Sequence, residues 1–242
     1  MDNSLWRAQP VLHLSAEEIQ SLLLYRDAGV LILNKPASIA VHKGAHKGAD
    51  FESFFHHVQF GLPRIPALAH RLDRETSGCL VLGRHAQAIK RLGHIFSSNQ
   101  AEKTYLALVV GAPKSDAGVL DQPILKTGSG ARWRIELHPD GQSALTYYEV
   151  LHRGAVSLLK LTPKTGRTHQ LRVHCAGAGF PVVGDPFYGV KEGTLSAQNA
   201  STMLHAWKII LPFADKKPAL AATAPLPMHF VTCMQAHGIT LV

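Results

Sequence analysis

Six short runs rich in apolar, β-branched and aromatic residues constrain the fold of this chain more than any other feature: Val30–Leu33, Cys79–Leu82, Tyr105–Val110, Leu145–Leu151, Val156–Leu161 and Leu204–Leu211. Runs of this length and composition read as strands. Helical spacing is sparser. Phe51–Phe60 reads as a helix, and so does Ala86–Ser97, where Ile89, Leu92 and Phe96 recur on one face and Asn99 is placed to end it. Thr168–Ala178 is a third candidate, with Thr168 as N-cap and Gly179 just past its end. The strand runs are not joined by regularly alternating helices, as a doubly wound parallel sheet requires. The expected class is α+β, a mixed and mainly antiparallel sheet with flanking helices.

At 242 residues the chain can bury one substantial core, or two lobes sharing a sheet. Residues 1–24 read as a short leader, in which Ser15-Ala16-Glu17-Glu18 caps a brief helix running through Leu22-Leu23-Leu24. Glu17, Glu18, Arg26 and Asp27 interrupt any apolar signal core, and no run approaches the ~20 apolar residues of a membrane span. A cytoplasmic protein without membrane attachment is expected, with monomer as the default state. Gly128, Ser129, Gly130, Pro139, Asp140 and Gly141 mark Lys126–Gln142 as a loop. The same stretch carries Lys126, Arg132, Trp133 and Arg134, a pattern that fits either phosphate contacts with base stacking or a twisted hairpin with solvated cations.

Twenty-five Lys and Arg against 17 Asp and Glu give a net charge of +8, which favours a polyanionic partner: RNA, DNA or an anionic membrane face. Cys79, Cys175 and Cys233 are too few and too scattered for a disulfide framework or a paired zinc motif. The 15 histidines show no HExxH, and His169 and His174 lie five apart where helical neighbours need three or four. No metal site is expected.

The segment most suggestive of chemistry is Ala69-His70-Arg71-Leu72-Asp73-Arg74-Glu75-Thr76-Ser77-Gly78. It sets Asp73 among three side chains able to carry positive charge, His70, Arg71 and Arg74, in a turn closed by Thr-Ser-Gly. Nearby cations favour a carboxylate's charged form, and a fixed anion in a basic cleft suits a nucleophile or charge stabiliser acting on an anionic polymer. Such a segment alone is also compatible with a surface turn, since structural ion pairs produce the same pattern.

His70–Gly78 resembles the signature of the RluA-type pseudouridine synthases, which isomerise uridine in RNA to its C-glycoside. Further blocks follow in that family's order: Asn34-Lys35-Pro36, Lys103-Thr104-Tyr105, Thr165-Gly166-Arg167-Thr168-His169-Gln170-Leu171-Arg172-Val173-His174, Gly184-Asp185-Pro186-Phe187-Tyr188-Gly189, Leu204-His205-Ala206 and Ala224-Pro225-Leu226-Pro227. The resemblance runs from roughly Tyr25 to Phe230. It implies the pseudouridine synthase fold with a central RNA-binding cleft and a catalytic domain over residues 25–242; the separate small RNA-binding domain that many members carry first is not expected here, because residues 1–24 are too short to hold it. It also implies an isomerase needing no cofactor and acting on tRNA or rRNA.

The resemblance further implies residue roles. Asp73 would be the essential carboxylate, attacking C1′ or C6 or removing the ribose 2′ proton. Arg172 would hold Asp73 through a charge-assisted, bidentate bond. Tyr105 would stack on the flipped uracil with its hydroxyl near C5 as proton acceptor or relay. Arg71 would fill the gap left by the base or grip a phosphate. Lys35, Lys103 and Arg167 would contact phosphates or pair inside the cleft, and Leu204 would wall the uracil pocket.

Two rival readings fit parts of the sequence. Ser157-Leu158-Leu159-Lys160 and Lys164-Thr165-Gly166 match the SxxK and KTG marks of serine β-lactamases, but that SxxK needs one helical turn where this segment reads as a strand. The second is a non-catalytic RNA-binding or RNA-folding protein using the same basic cleft. Against it stands a carboxylate that would repel phosphates without serving binding.

Overall fold

The computed structural model describes residues 14–42, 50–129, 133–189, 201–212 and 219–241. Its helices are α1 (Ala16–Ser21), α2 (Ala86–Ser97), α3 (Gln170–Gly177) and α4 (Met228–Ala236), with a 3-10 helix at Phe51–Val58. Its strands are β1 (Leu23–Arg26), β2 (Val30–Lys35), β3 (Ala67–Leu68), β4 (Ser77–Gly83), β5 (Glu102–Val110), β6 (Ala117–Leu120), β7 (Ile124–Thr127), β8 (Arg134–Leu137), β9 (Thr146–His152), β10 (Val156–Pro163), β11 (Leu204–Leu211) and β12 (Leu220–Thr223). All six strand runs expected from composition are strands. The α+β class holds, since the main sheet runs β1-β2-β4-β11-β5-β10-β9-β6 and β4–β11 is its parallel pair among otherwise antiparallel neighbours.

The central strands are apolar at nearly every position because both faces are covered. In β2, Val30 and Ile32 enter one cluster with Leu92 and Ile95 of α2, while Leu31 and Leu33 enter another with Phe51 and Phe55 of the 3-10 helix. A third cluster packs Leu106 and Leu108 of β5 and Leu158 of β10 against Cys175 of α3 and Phe230 of α4. Tyr105 borders two of these clusters. β11 lies between β4 and β5, so the Asp73 turn leading into β4 lies close to Tyr105 on β5 and to the loop joining β10 to α3.

Several expectations shift. The helix started by the Ser15–Glu18 capping box ends at Ser21, short of Leu22-Leu23-Leu24, and Leu23–Arg26 pairs with β2 instead. Ile19 is fully buried against the 3-10 helix cluster, so the expected leader boundary at residue 24 runs through the packed core, and residues 1–13 lie outside the described residues. The Phe51–Phe60 helix is a shorter 3-10 segment, started by Asp50, whose carboxylate accepts from the Ser53 N–H (2.9 Å). Lys126–Thr127 and Arg134–Leu137 of the expected Lys126–Gln142 loop are strand, in the β7–β8 pair, with Arg132 outside the described residues. Val156–Pro163 is a strand with Ser157 buried in it, which removes the geometry that an SxxK nucleophile needs. No helix among the described residues is long and apolar enough to cross a membrane.

Candidate active site

The turn that presents Asp73 is closed by the Thr76 N–H donating to the Asp73 carbonyl (3.1 Å) and is held from below by Lys35. The Lys35 ammonium donates to the carbonyls of Pro36 (2.7 Å), Ile39 (2.8 Å) and Arg74 (3.2 Å), which uses all of its donors. Lys35 is fully buried, so the expected phosphate contact is corrected: it braces the turn from inside. Burial pulls its pKa down to about 7, opposed by Glu75 and Asp73.

His70 is no cation. Its Nε2 accepts from the Val81 N–H (3.0 Å), its ring stacks on Phe96 at 4.4 Å, and burial lowers its pKa to about 3. Arg74 donates from Nε to the Ser38 carbonyl (3.2 Å), and Arg71 is exposed at the rim.

Asp73 is paired instead with Arg172 of α3. The closest approach is 3.5 Å, Nη1 to Oδ2, with the Asp73 side chain 18 % exposed and that of Arg172 2 %. The expected bidentate bond goes elsewhere. Arg172 donates from Nε and Nη2 to the two oxygens of Asp185 (2.6 and 2.7 Å), a residue quoted within a motif but given no role from the sequence. Asp185 Oδ1 also accepts from the N–H groups of Phe187 (2.9 Å) and Tyr188 (3.1 Å). Burial works against the Arg172 charge, but the bonds to Asp185 and the fields of Asp185 and Asp73 outweigh it and raise its pKa. Asp185 fixes the guanidinium, leaving Nη1 aimed at Asp73.

Asp73 and Arg172 line a cavity of about 110 Å³. Arg71, Asp73, Lys103, Tyr105, Arg167, Arg172 and Leu204 all border it, so of the eight residues singled out from the sequence only Lys35 lies off the wall. Tyr105 is partly buried, and burial followed by the Asp73 charge raises its pKa, which keeps the phenol protonated. Lys103 is lowered by burial and by nearby Lys164. Arg167 is exposed and donates from Nε to the Ser143 carbonyl (3.1 Å). Leu204, buried at the start of β11, supplies an apolar wall.

The loop entering α3 differs from expectation. Thr168 is not the cap; His169 stands there in the left-handed region (φ 53°) without a side-chain cap bond. The buried amide of Gln170 orders the turn, its Oε1 accepting from Thr165 Oγ1 (2.8 Å) and the Arg167 N–H (3.0 Å) while its Nε2 donates to the Leu145 carbonyl (3.1 Å) and Thr146 Oγ1 (3.0 Å). Every bonding position of that amide that this geometry offers is taken. Sequence reading missed Gln170 and Asp185 as positioning residues. The available signal was their presence as polar residues inside the quoted motifs, but their partners were not visible.

Such a pocket, with one carboxylate held by a clamped guanidinium, a protonated phenol alongside and exposed arginines at its mouth, defines an enzyme cleft for an anionic substrate. The chain matches the family model described as RNA pseudouridylate synthase over residues 29–177. It is 42% identical over 212 residues to an uncharacterized RNA pseudouridine synthase of Zymomonas mobilis, covering 86% of this chain and 94% of that protein. It is 33% identical over 214 residues to the ribosomal large subunit pseudouridine synthase C of Buchnera aphidicola, covering 86% of this chain and 68% of that protein. Among solved structures it is similar to human RNA pseudouridylate synthase domain containing 4, with a TM-score of 0.77, 26% identity, and coverage of 93% and 96% of the two chains.

The chain belongs to the RNA pseudouridylate synthase family, and the RluA-type resemblance carried by its motifs is borne out. It is an isomerase of RNA uridine.

Proposed function

We propose that this chain converts one or a few uridines of tRNA or rRNA to pseudouridine, with Asp73 as the essential carboxylate. The observation that carries this reading is Asp73 bordering the cavity 3.5 Å from a guanidinium that Asp185 already orients, with Tyr105 and Leu204 on the same wall. Relatives named as ribosomal large subunit synthases favour rRNA as the substrate. The protein acts as a monomer in the cytoplasm.

The reaction breaks C1′–N1 of the nucleoside, turns the ring and forms C1′–C5. The C5 proton is lost and N1 gains one, so the net change is an isomerisation needing no redox group or nucleotide. Arg71 and Arg167 draw in the backbone, and the uridine leaves its stack at a cost of a few kcal/mol. Stacking on Tyr105 returns about 1–3 kcal/mol. A carboxylate faced by a clamped guanidinium and bordering the pocket suits Asp73 to attack on the nucleoside or to electrostatic stabilisation. The protonated Tyr105 fits stacking and a hydrogen-bond relay to C5 better than direct proton abstraction.

The test is incubation of the purified chain with unmodified rRNA and tRNA transcripts, without added cofactor, followed by chemical mapping of pseudouridine. Conversion at a small set of uridines is expected; no conversion in either class contradicts the proposal.

A further inference from the structure

Beside the uridine pocket the chain leaves large aromatic faces in solvent. Phe187 is 65% exposed and Trp133 39% exposed. Single exposed apolar side chains are ordinary, but these two converge on one residue. The His169 ring lies 5.5 Å from Trp133 and 6.1 Å from Phe187, and His169 also lines the pocket. Interplanar angles of 47° and 38° show that neither pair is stacked face to face.

The platform is built rather than loose. His169 Nδ1 and the Tyr188 hydroxyl are bonded at 2.8 Å, and the turn bearing Phe187 is tied to Asp185 through its own N–H. Lys126 Nζ lies 5.2 Å from the Trp133 ring centroid, and the Arg172 guanidinium lies 5.6 Å from that of Phe187. Exposed rings interleaved with cations, contiguous with a cleft for a single nucleotide, are the chemistry that binds unpaired bases.

The geometry points to a second base subsite: Trp133 and Phe187, whose rings both neighbour that of His169, stack an unpaired nucleotide adjacent to the target uridine. It rests on the RNA synthase reading and adds to it. The chain would favour targets in loops, where a neighbouring base is free to splay onto the rings, and this preference would be independent of Asp73.

The experiment measures binding of a fluorescein-labelled oligouridylate, and of an abasic ribose-phosphate oligomer of equal length, to the full chain and its Trp133→Ala, Trp133→Phe and Phe187→Ala variants. Both alanine variants are expected to bind oligouridylate about tenfold more weakly, and Trp133→Phe to stay within about twofold of wild type. The abasic oligomer should bind all four proteins alike, and the salt dependence should be unchanged, because stacking releases no counterions. Both rings are exposed, so matching thermal unfolding curves are expected. Oligouridylate affinities within about twofold of wild type in either alanine variant overturn the paired subsite, as does an equal loss on the abasic oligomer. If the binding results hold but the wild type modifies no RNA, the proposed function fails and the stacking site stands.

Discussion

Arg172 gives its two-pronged face to Asp185 and only its remaining Nη1 to Asp73. The buried acid therefore positions the cation, and the cation faces the acid that borders the pocket. Removing one partner of a buried pair leaves a charge short of its compensation, at a cost of about 3 kcal/mol or more. Asp185→Asn should lower unfolding stability by roughly that amount in urea titration. A change below about 1 kcal/mol would show that Asp73 alone holds the guanidinium.

Gly78 closes the signature turn where β4 begins its parallel pairing with β11. Its φ is +107°, and a Cβ there would overlap the Ala206 carbonyl. Neither strain can relax, because the neighbour is backbone. Gly78→Ala should destabilise by at least about 2 kcal/mol. Wild-type stability in that variant, measured by thermal unfolding, would mean that the two strands do not approach as described.

Lys35 distinguishes a brace from a phosphate contact. Lys35→Met leaves three carbonyls, that of Ile39 buried, without their donor, so a loss of about 1–3 kcal/mol is expected. Turnover should fall while RNA affinity keeps its salt dependence, whereas loss of a phosphate contact would lower the salt slope by about one. A reduced slope would restore the direct contact.

His205 is buried between Ser77 Oγ (2.8 Å, on Nδ1) and the Ala224 carbonyl (3.2 Å, on Nε2), so its partners assign a neutral ring protonated on Nε2. Burial lowers its pKa to about 4, against about 6.5 in an unfolded chain. The unfolded state thus binds the proton first. The stability His205 contributes is complete above about pH 6.5 and is lost as the pH falls toward 4. His205→Asn should show a shallower fall in stability between about pH 7 and 5 than wild type. Parallel curves would remove His205 from the acid response.

What the chain shows before folding follows from how local each signal is. Ala86–Ser97 and Leu204–Leu211 have the expected bounds because periodicity and composition lie within the segment itself. β1, β6, β7, β8 and β12 span four residues each and carry too short a pattern to distinguish from loop. The start of α3 was misplaced because Gln170 orders that turn through Leu145 and Thr146, far off in sequence. For the same reason Asp73 and Arg172 were nameable from motifs, whereas the tie from Arg172 to Asp185 and the inward course of Lys35 depend on tertiary packing. His70 looked like a cation beside Asp73 because the sequence does not show the ring turned inward to accept from the Val81 N–H, where burial keeps it neutral.

The most direct test is the Asp73→Asn chain, assayed for pseudouridine formation and RNA binding on the same transcript. The substitution keeps shape and removes the charge. Loss of turnover by about a thousandfold or more, with affinity within about threefold of wild type, is the expected result. Pseudouridine formed at the wild-type rate by that variant would contradict the account.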